Sequence, residues 1–343
     1  MAQQLSEILE AWLPSYQQDW VAAVITHVSG SSYRKPGAIM LFDGLGKSLG
    51  MLSGGCLEAD LRRHAQRVMQ TGQTLTLTYD ASDESDQSYQ LGCGGIVTIM
   101  LVSLTKANDY LGLLKLYDAL NHGQSCRYQL SIPSQPIACD ELSAQVEVLH
   151  SNTQALPFTE KTELLNLETG ENTPKQILSV PVRAPIHLGI FGGGLDAKPV
   201  CEMAQLLGWR VSVFDSRSAY ARNYDFAGAK IYKHKANELP SDVLSSLNCA
   251  FVLHHNLELD ADALRVLAQY PLQYVALLGP GHRRDKVLTK AELTVDDFSG
   301  VFSAPAGLAL GGELPSSIAL SMLSQCHSVL YQSKMTTLDK VMS

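Results

Sequence analysis

The chain has 343 residues, long enough for two hydrophobic cores and awkwardly long for one small domain. Lys and Arg number 26 against 34 Asp and Glu, a formal net charge of -8, and no extended basic run could track a phosphate backbone, which argues against nucleic acid as a partner. No apolar run approaches membrane length and "MAQQLSEILEAW" is amphipathic rather than signal-like, so a cytoplasmic protein without a membrane partner is expected.

Seven cysteines, at 56, 93, 126, 139, 201, 249 and 326, are odd in number, widely spaced and without a CxxC pair. Neither a disulfide scaffold nor a local zinc knuckle follows from that pattern, and no metal ligands are assigned.

In chain order, residues 3–14 read as a helix, "WVAAVITHV" at 20–28 and "AIMLF" at 38–42 as strands, and 57–70 as a helix with Leu57, Leu61, Ala65 and Val68 at helical spacing. "TLTLTY" at 74–79 alternates as a strand, the acidic loop "DASDESDQSY" follows, and "GIVTIMLVS" at 95–103 is the most apolar strand of this half. A helix fits 107–120. Residues 1–121 therefore form a mixed α/β domain, and the polar, turn-rich stretch 122–185 reads as a connector or small mixed subdomain.

From 186 to about 330 the pattern becomes regular: "IHLGIF", a glycine turn, a helix over 196–207, "RVSVFD", "AFVLH", a helix over 261–269, "YVALLG", and a closing helix from Pro315 to about Cys326. Apolar strands alternating with helices predict a parallel sheet covered on both faces, a Rossmann-like domain. The fold class is thus α/β, with a mixed N-terminal domain followed by a Rossmann-like one.

Gly192, Gly194 and Ala197 fit G-x-G-x-x-A, and Asp215 follows 23 residues after Gly192, where an acidic side chain receives ribose hydroxyls. A free helix N-terminus there favours phosphate, while Asp196 either repels it or caps the helix. A purely structural turn is the alternative. His254 ends the "FVLHH" strand, at the sheet edge where open parallel sheets bind ligands, or else it is a satisfied core histidine.

Cys56 follows Ser53, Gly54 and Gly55 near a helix start, where the dipole favours thiolate and Glu58 opposes it. Cys93 lies between Gly92 and Gly94. Both read as candidate catalytic or sulfur-contacting thiols, against the alternatives of a small residue in a tight turn for Cys56 and a strand-entry bulge for the glycines around Cys93. "THVSGSSYRKPGA" offers Ser32 and Arg34 to an anionic ligand, or forms a solvated loop.

The motifs "GSSYRKPGAIML", "SGGCLEADL", "YDASDES", "LGCGG", "IFGGGLDAKPVCEMAQLLGWRVSVFDSRSAYA", "LHHNLELD", "LLGPGHRR" and "APAGLALGGELPSSIALSML" resemble those of the xanthine dehydrogenase accessory factor, or XdhC/CoxI, family over nearly the whole chain. The resemblance implies an N-terminal domain of XdhC/CoxI type, a Rossmann-like C-terminal domain, and a role in maturing molybdenum hydroxylases. It further implies binding of the molybdenum cofactor (molybdopterin), help with its sulfuration, and transfer to an apoenzyme, with a cysteine desulfurase as a sulfur-supplying partner and a homodimer as the assembly. Cys56 carries over from the family's "SGGC", Cys93 from "GCGG", and Gly192, Gly194 and Asp215 from the Rossmann motif. Many members have "GAG" where this chain has Gly192, Gly193 and Gly194, and many have more arginine where Gly281 and His282 stand.

Whether the protein turns over a substrate stays open; a maturation chaperone is favoured over an enzyme. The rival reading is an NAD- or NADP-dependent oxidoreductase, and a third is a nucleotide- or redox-sensing regulatory module. Two glycine-set cysteines in a separate domain, and no clear catalytic His or Tyr-Lys arrangement, weigh against the oxidoreductase.

Overall fold

The computed structural model describes residues 4–55, 57–80, 95–149, 160–167 and 175–336. The chain divides into two compact units, Met1–Ala184 and Pro185–Ser343.

In the first unit, helix α1 (Leu5–Trp12) precedes strands β1 (Trp20–Ser29), β2 (Ile39–Asp43) and β3 (Ser48–Leu49), helix α2 (Glu58–Thr71), β4 (Leu75–Asp80), β5 (Ile96–Leu104) and α3 (Leu113–Asn121). The strands form an antiparallel sheet in the order β3-β2-β1-β5-β4. Every residue from Trp20 to Ile25 on the central β1 is buried, so this strand is covered on both faces rather than alternating. α2 lays Leu61, Ala65 and Val68 into the core and stops at Gly72, whose left-handed φ of 64° caps it. α3 starts later than the spacing predicts, because Tyr110 and Leu111 take positive φ values of 49° and 52° and break the first turns.

The stretch read as a connector or subdomain contains β6 (Cys126–Ile132), β7 (Ala144–Val148), β8 (Glu163–Leu167) and β9 (Lys175–Val182). They pair antiparallel in the order β7-β6-β9-β8. Cys126, Tyr128, Leu130, Leu178 and Val180 share one continuous hydrophobic core with the preceding strands, so burial joins this sheet to the N-terminal unit.

The second unit contains β10 (His187–Phe191), α4 (Ala197–Leu206), β11 (Arg210–Phe214), β12 (Lys230–Tyr232), α5 (Ser241–Ser245), β13 (Cys249–Val252), α6 (Leu257–Leu267), β14 (Tyr274–Leu277), α7 (Gly281–Ala291), β15 (Val301–Ser303) and α8 (Pro315–Leu330). All six strands are parallel in the order β12-β11-β10-β13-β14-β15. Counted within the domain this is 3-2-1-4-5-6, the doubly wound dinucleotide-binding order.

Strand side chains alternate between two cores. Cys249, Phe251 and Leu253 face one with residues of α4 and α8, while Ala250 and Val252 face the other with residues of α6 and α7. α6 begins earlier than its apolar pattern indicates, because the Asn256 side chain accepts from the Glu258 and Leu259 amides at 3.0 and 3.1 Å. Helix α7, which begins within the "LLGPGHRRDK" motif and runs on to Ala291, is an element that the apolar pattern does not signal. No helix among the described residues is long and apolar enough to cross a membrane.

Candidate functional site

The strand order reverses between β10 and β13, and there the backbone passes close to itself. Gly192 has a φ of 113°, and a β-carbon on it would lie 2.5 Å from the His254 amide nitrogen and the Leu253 carbonyl carbon. Only glycine fits that approach. Among the described residues, a β-carbon on Gly194 would meet nothing nearer than Tyr220 Cε1 at 3.9 Å, so they leave this position open.

Asp215, just beyond β11, is buried with both carboxylate oxygens engaged. Oδ2 accepts from the Gly193 amide at 2.8 Å and Arg217 Nη2 at 2.7 Å, and Oδ1 accepts from the Arg217 amide at 3.0 Å and Nε at 2.9 Å. Burial alone would raise its pKa; the Arg217 side chain and the two amides outweigh that and hold it below the ordinary carboxylate range. The same pairing raises the Arg217 pKa. A ribose reaching this carboxylate must therefore compete with Arg217.

His254, beyond β13, is also buried. Its Nδ1 lies 3.1 Å from Asp260 Oδ1 on α6, the other Asp260 oxygen accepts from Arg283 on α7, and Arg217 Nη1 donates to the His254 carbonyl at 3.3 Å. A connected polar chain thus runs from Asp215 through Arg217, His254 and Asp260 to Arg283. His255 takes a φ of 56° and its Nε2 lies 2.7 Å from Asp196 Oδ2, joining the turns after β10 and β13. Asp196 consequently serves His255 rather than capping α4 with its side chain. Beside these residues is a cavity of about 250 Å³ whose wall includes Phe191, Phe214, Asp215 and His254.

Two family models match the chain: one described as the XdhC and CoxI family over residues 15–80, the other as the XdhC Rossmann domain over 188–326. A protein from Bacillus subtilis (strain 168), described as a probable subunit of xanthine dehydrogenase, is 30% identical over 342 residues, spanning 90% of this chain and 92% of the relative. The chain belongs to the XdhC and CoxI family. A crystal structure described as a xanthine dehydrogenase from Bacillus halodurans matches with a TM-score of 0.75 at 27% identity, covering 97% of each chain.

In the XdhC and CoxI domain, Ser53 ties the "SGGC" motif to α2. Its hydroxyl donates to Glu58 Oε2 at 2.5 Å and accepts from the Gly55 and Leu57 amides at 3.2 and 3.1 Å. Glu58 Oε1 accepts in turn from the Ser53 amide at 2.8 Å. Burial pushes the Glu58 pKa up, but the Ser53 hydroxyl and the surrounding amides pull it below its ordinary value. Among the described residues, nothing lies within 4 Å of a β-carbon added at Gly54 or Gly55.

Ser32 donates to the Arg34 carbonyl at 2.8 Å, folding that loop back on itself. Gly95, at the end of the "LGCGG" motif, presses on the same loop: a β-carbon there would collide with the Ser31 carbonyl oxygen. The fold therefore brings Gly95 beside the Ser32 and Arg34 loop. Cys56, Gly92, Cys93 and Gly94 lie outside the described residues.

The cofactor implied by the family can be weighed against the surroundings in each unit taken by itself. Open glycines at 54 and 55 in the first, and an open Gly194 with a cavity wall containing a buried imidazole in the second, fit parts of a planar pterin with an anionic tail. No group of three or more His, Cys, Asp or Glu side chains placed to hold a metal occurs among the described residues.

Reasoning from the sequence misses Asp260, Arg217 and the ligand-independent duty of Glu58. A signal for Asp260 exists: with Ala263, Leu264 and Leu267 it falls at i, i+3, i+4 and i+7 of one helix, a carboxylate on an apolar stripe.

Proposed function

We propose that the protein is an accessory factor for maturation of molybdenum hydroxylases of the xanthine dehydrogenase type, which binds the molybdenum cofactor and assists its sulfuration and insertion. In this reading it is a carrier rather than a turnover enzyme. The observation that carries it is membership of the XdhC and CoxI family across both units, with a tight glycine turn and a buried histidine at the point of strand reversal.

When bound, the cofactor supplies the molybdenum and its dithiolene sulfur chemistry. The chain's part is to hold and orient it. Ser32 and Arg34 offer a hydroxyl and a cation to an anionic tail, Gly54, Gly55 and Gly194 leave backbone approachable, and His254 offers a ring nitrogen. Cys56 and Cys93 are the thiols for sulfur contact, since thiolate suits molybdenum and persulfide exchange where serine does not. The partners are a hydroxylase apoenzyme, a cysteine desulfurase as sulfur source, and a second copy of the chain as a homodimer.

The strand order and glycine turn favour NAD or NADP binding as a second reading, with hydride transfer as its activity. The engagement of Asp215 by Arg217 and the Gly193 amide weighs against it.

The test is anaerobic titration of the purified protein with molybdenum cofactor, with NAD and NADP in parallel. Stoichiometric cofactor binding that weakens in Cys56→Ser, together with activation of the apo-hydroxylase, is the expected result. No cofactor binding alongside tight nicotinamide binding would move the assignment to an oxidoreductase.

A further inference from the structure

We propose that the cavity at the carboxyl ends of β10, β11 and β13 binds an amino-substituted nitrogen heterocycle, which donates an N–H to Nε2 of His254. This deepens the maturation reading and rests on it for the expectation of a pterin.

The polar atoms of His254 can be accounted for one by one. Its amide donates to Asp260 Oδ1 at 3.1 Å, its carbonyl accepts from Arg217 Nη1 at 3.3 Å, and Nδ1 lies 3.1 Å from Asp260 Oδ1. A carboxylate only accepts, so Nδ1 carries the proton, and in the tautomer this contact selects Nε2 presents its lone pair. Among the described residues Nε2 has no protein partner, yet it is not one of the sealed buried atoms that lack one. The residue lines the cavity, and its side chain is only 7% exposed.

Lys235 and Glu258 also line the cavity, so water reaches Nε2 until a ligand N–H displaces it and takes up the acceptor. Its direction is fixed from behind. Asp260 is buried and spans His254 and Arg283, so the imidazole is held in one tautomer and one orientation by groups that need not touch the ligand.

The cavity walls select shape. Phe191 and Phe214 stack with centroids 4.5 Å apart at 22°, and Leu239 and Leu259 add apolar surface. A cavity of about 250 Å³ falls below the roughly 300–1,000 Å³ of drug-sized pockets, and so suits one fused ring system rather than a whole dinucleotide. Asp215, the other buried polar side chain of the wall, is already saturated by Arg217 and Gly193. The ligand must therefore bring the donor, as the amino and ring N–H groups of a pterin or an adenine do.

Full-length protein labelled with ¹⁵N-histidine is titrated with 6-carboxypterin and, separately, with ADP-ribose, using His254→Gln to identify the resonance. The expected result is that one probe binds, shifts Nε2 of His254 upfield and leaves Nδ1 in place, and that His254→Leu weakens that probe at least tenfold. Binding by 6-carboxypterin marks a pterin source, and binding by ADP-ribose an adenine nucleotide. Asp260→Asn should average the two ring nitrogens and weaken the same probe, a spectroscopic change that a purely structural role would not give.

If neither probe binds, or if binding leaves Nε2 unmoved in the wild type, the proposal is overturned whether or not the variants fold. Apo-hydroxylase activation separates the two readings. A heterocycle bound at His254 without activation sinks the maturation role alone, whereas full activation by His254→Leu without heterocycle binding sinks the cavity alone.

Discussion

Gly193 and Ala221 are in backbone contact: the Gly193 carbonyl accepts from the Ala221 amide at 3.1 Å, and a β-carbon on Gly193 would lie 2.5 Å from Ala221 Cα. The neighbour is backbone held at a positive φ of 45°, so it cannot give way like a flexible side-chain tip. This is the physical reason that glycine, rather than alanine, stands between Gly192 and Gly194 here.

Gly193→Ala should therefore destabilise the protein by about 1–3 kcal/mol, the range of overpacking a filled site. Gly194→Ala has room and should change stability by less than about 0.5 kcal/mol, while weakening any ligand that approaches that turn. Denaturant unfolding of both variants checks the contrast, and equal losses would contradict it.

Ser53 and Glu58 predict an acid-sensitive motif. Glu58 has a folded pKa below its ordinary value, so its contribution to stability is complete above the ordinary carboxylate pKa of about 4.3. It is lost as pH falls through the depressed folded value. Glu58→Gln should flatten that part of the acid limb, and Ser53→Ala, which strips two amides of their acceptor, should cost about 1–2 kcal/mol. Urea unfolding between pH 3 and 7 measures both.

His187 makes a second pH contribution at higher pH. Burial, with Arg210 nearby, pushes its pKa down to about 4, and its ring nitrogens lie 3.0 Å from the Ser246 hydroxyl and 2.8 Å from that of Ser212. The unfolded chain takes up this proton near pH 6.5 and the folded one only near 4, so stability should decline across that window as pH falls. His187→Asn should remove close to one proton of linkage there, and an unchanged slope would exclude this role.

The five described cysteines are all buried. Burial pushes Cys126 and Cys201 up to about 11, and raises Cys139 and, with Cys249 beside it, Cys326. Native-state alkylation at pH 8, read by peptide mass spectrometry, should leave these five unmodified because burial denies the reagent access to each of them. Labelling of any of them before unfolding would contradict this, and thiol chemistry at 56 and 93 can be followed against that silent background.

Much of the Rossmann-like domain is legible in the sequence because its strands are short buried runs, each followed by a turn residue with one duty. Gly192 and Asp215 stand out by spacing, and the structure gives each a local reason: close backbone approach for the glycine, a bond to the Gly193 amide for the aspartate. What the sequence hides depends on distance along the chain. Asp260 and Arg283 meet across 23 residues, and Arg217 competes for an aspartate that the fingerprint alone assigns to a ribose. In the N-terminal unit, burial joins β6 and β9 to the first sheet, a relation that polar, turn-rich local composition conceals.

Gly192 pressed against Leu253 and His254, with Asp196 clasping His255, has a consequence for redesign. The loop after β10 and the loop after β13 are one interlocked part supplied by two distant pieces of text. Grafting the glycine fingerprint of another protein onto this domain would bring half of a fastener, and a new specificity would have to be transplanted with its strand-end histidines or not at all.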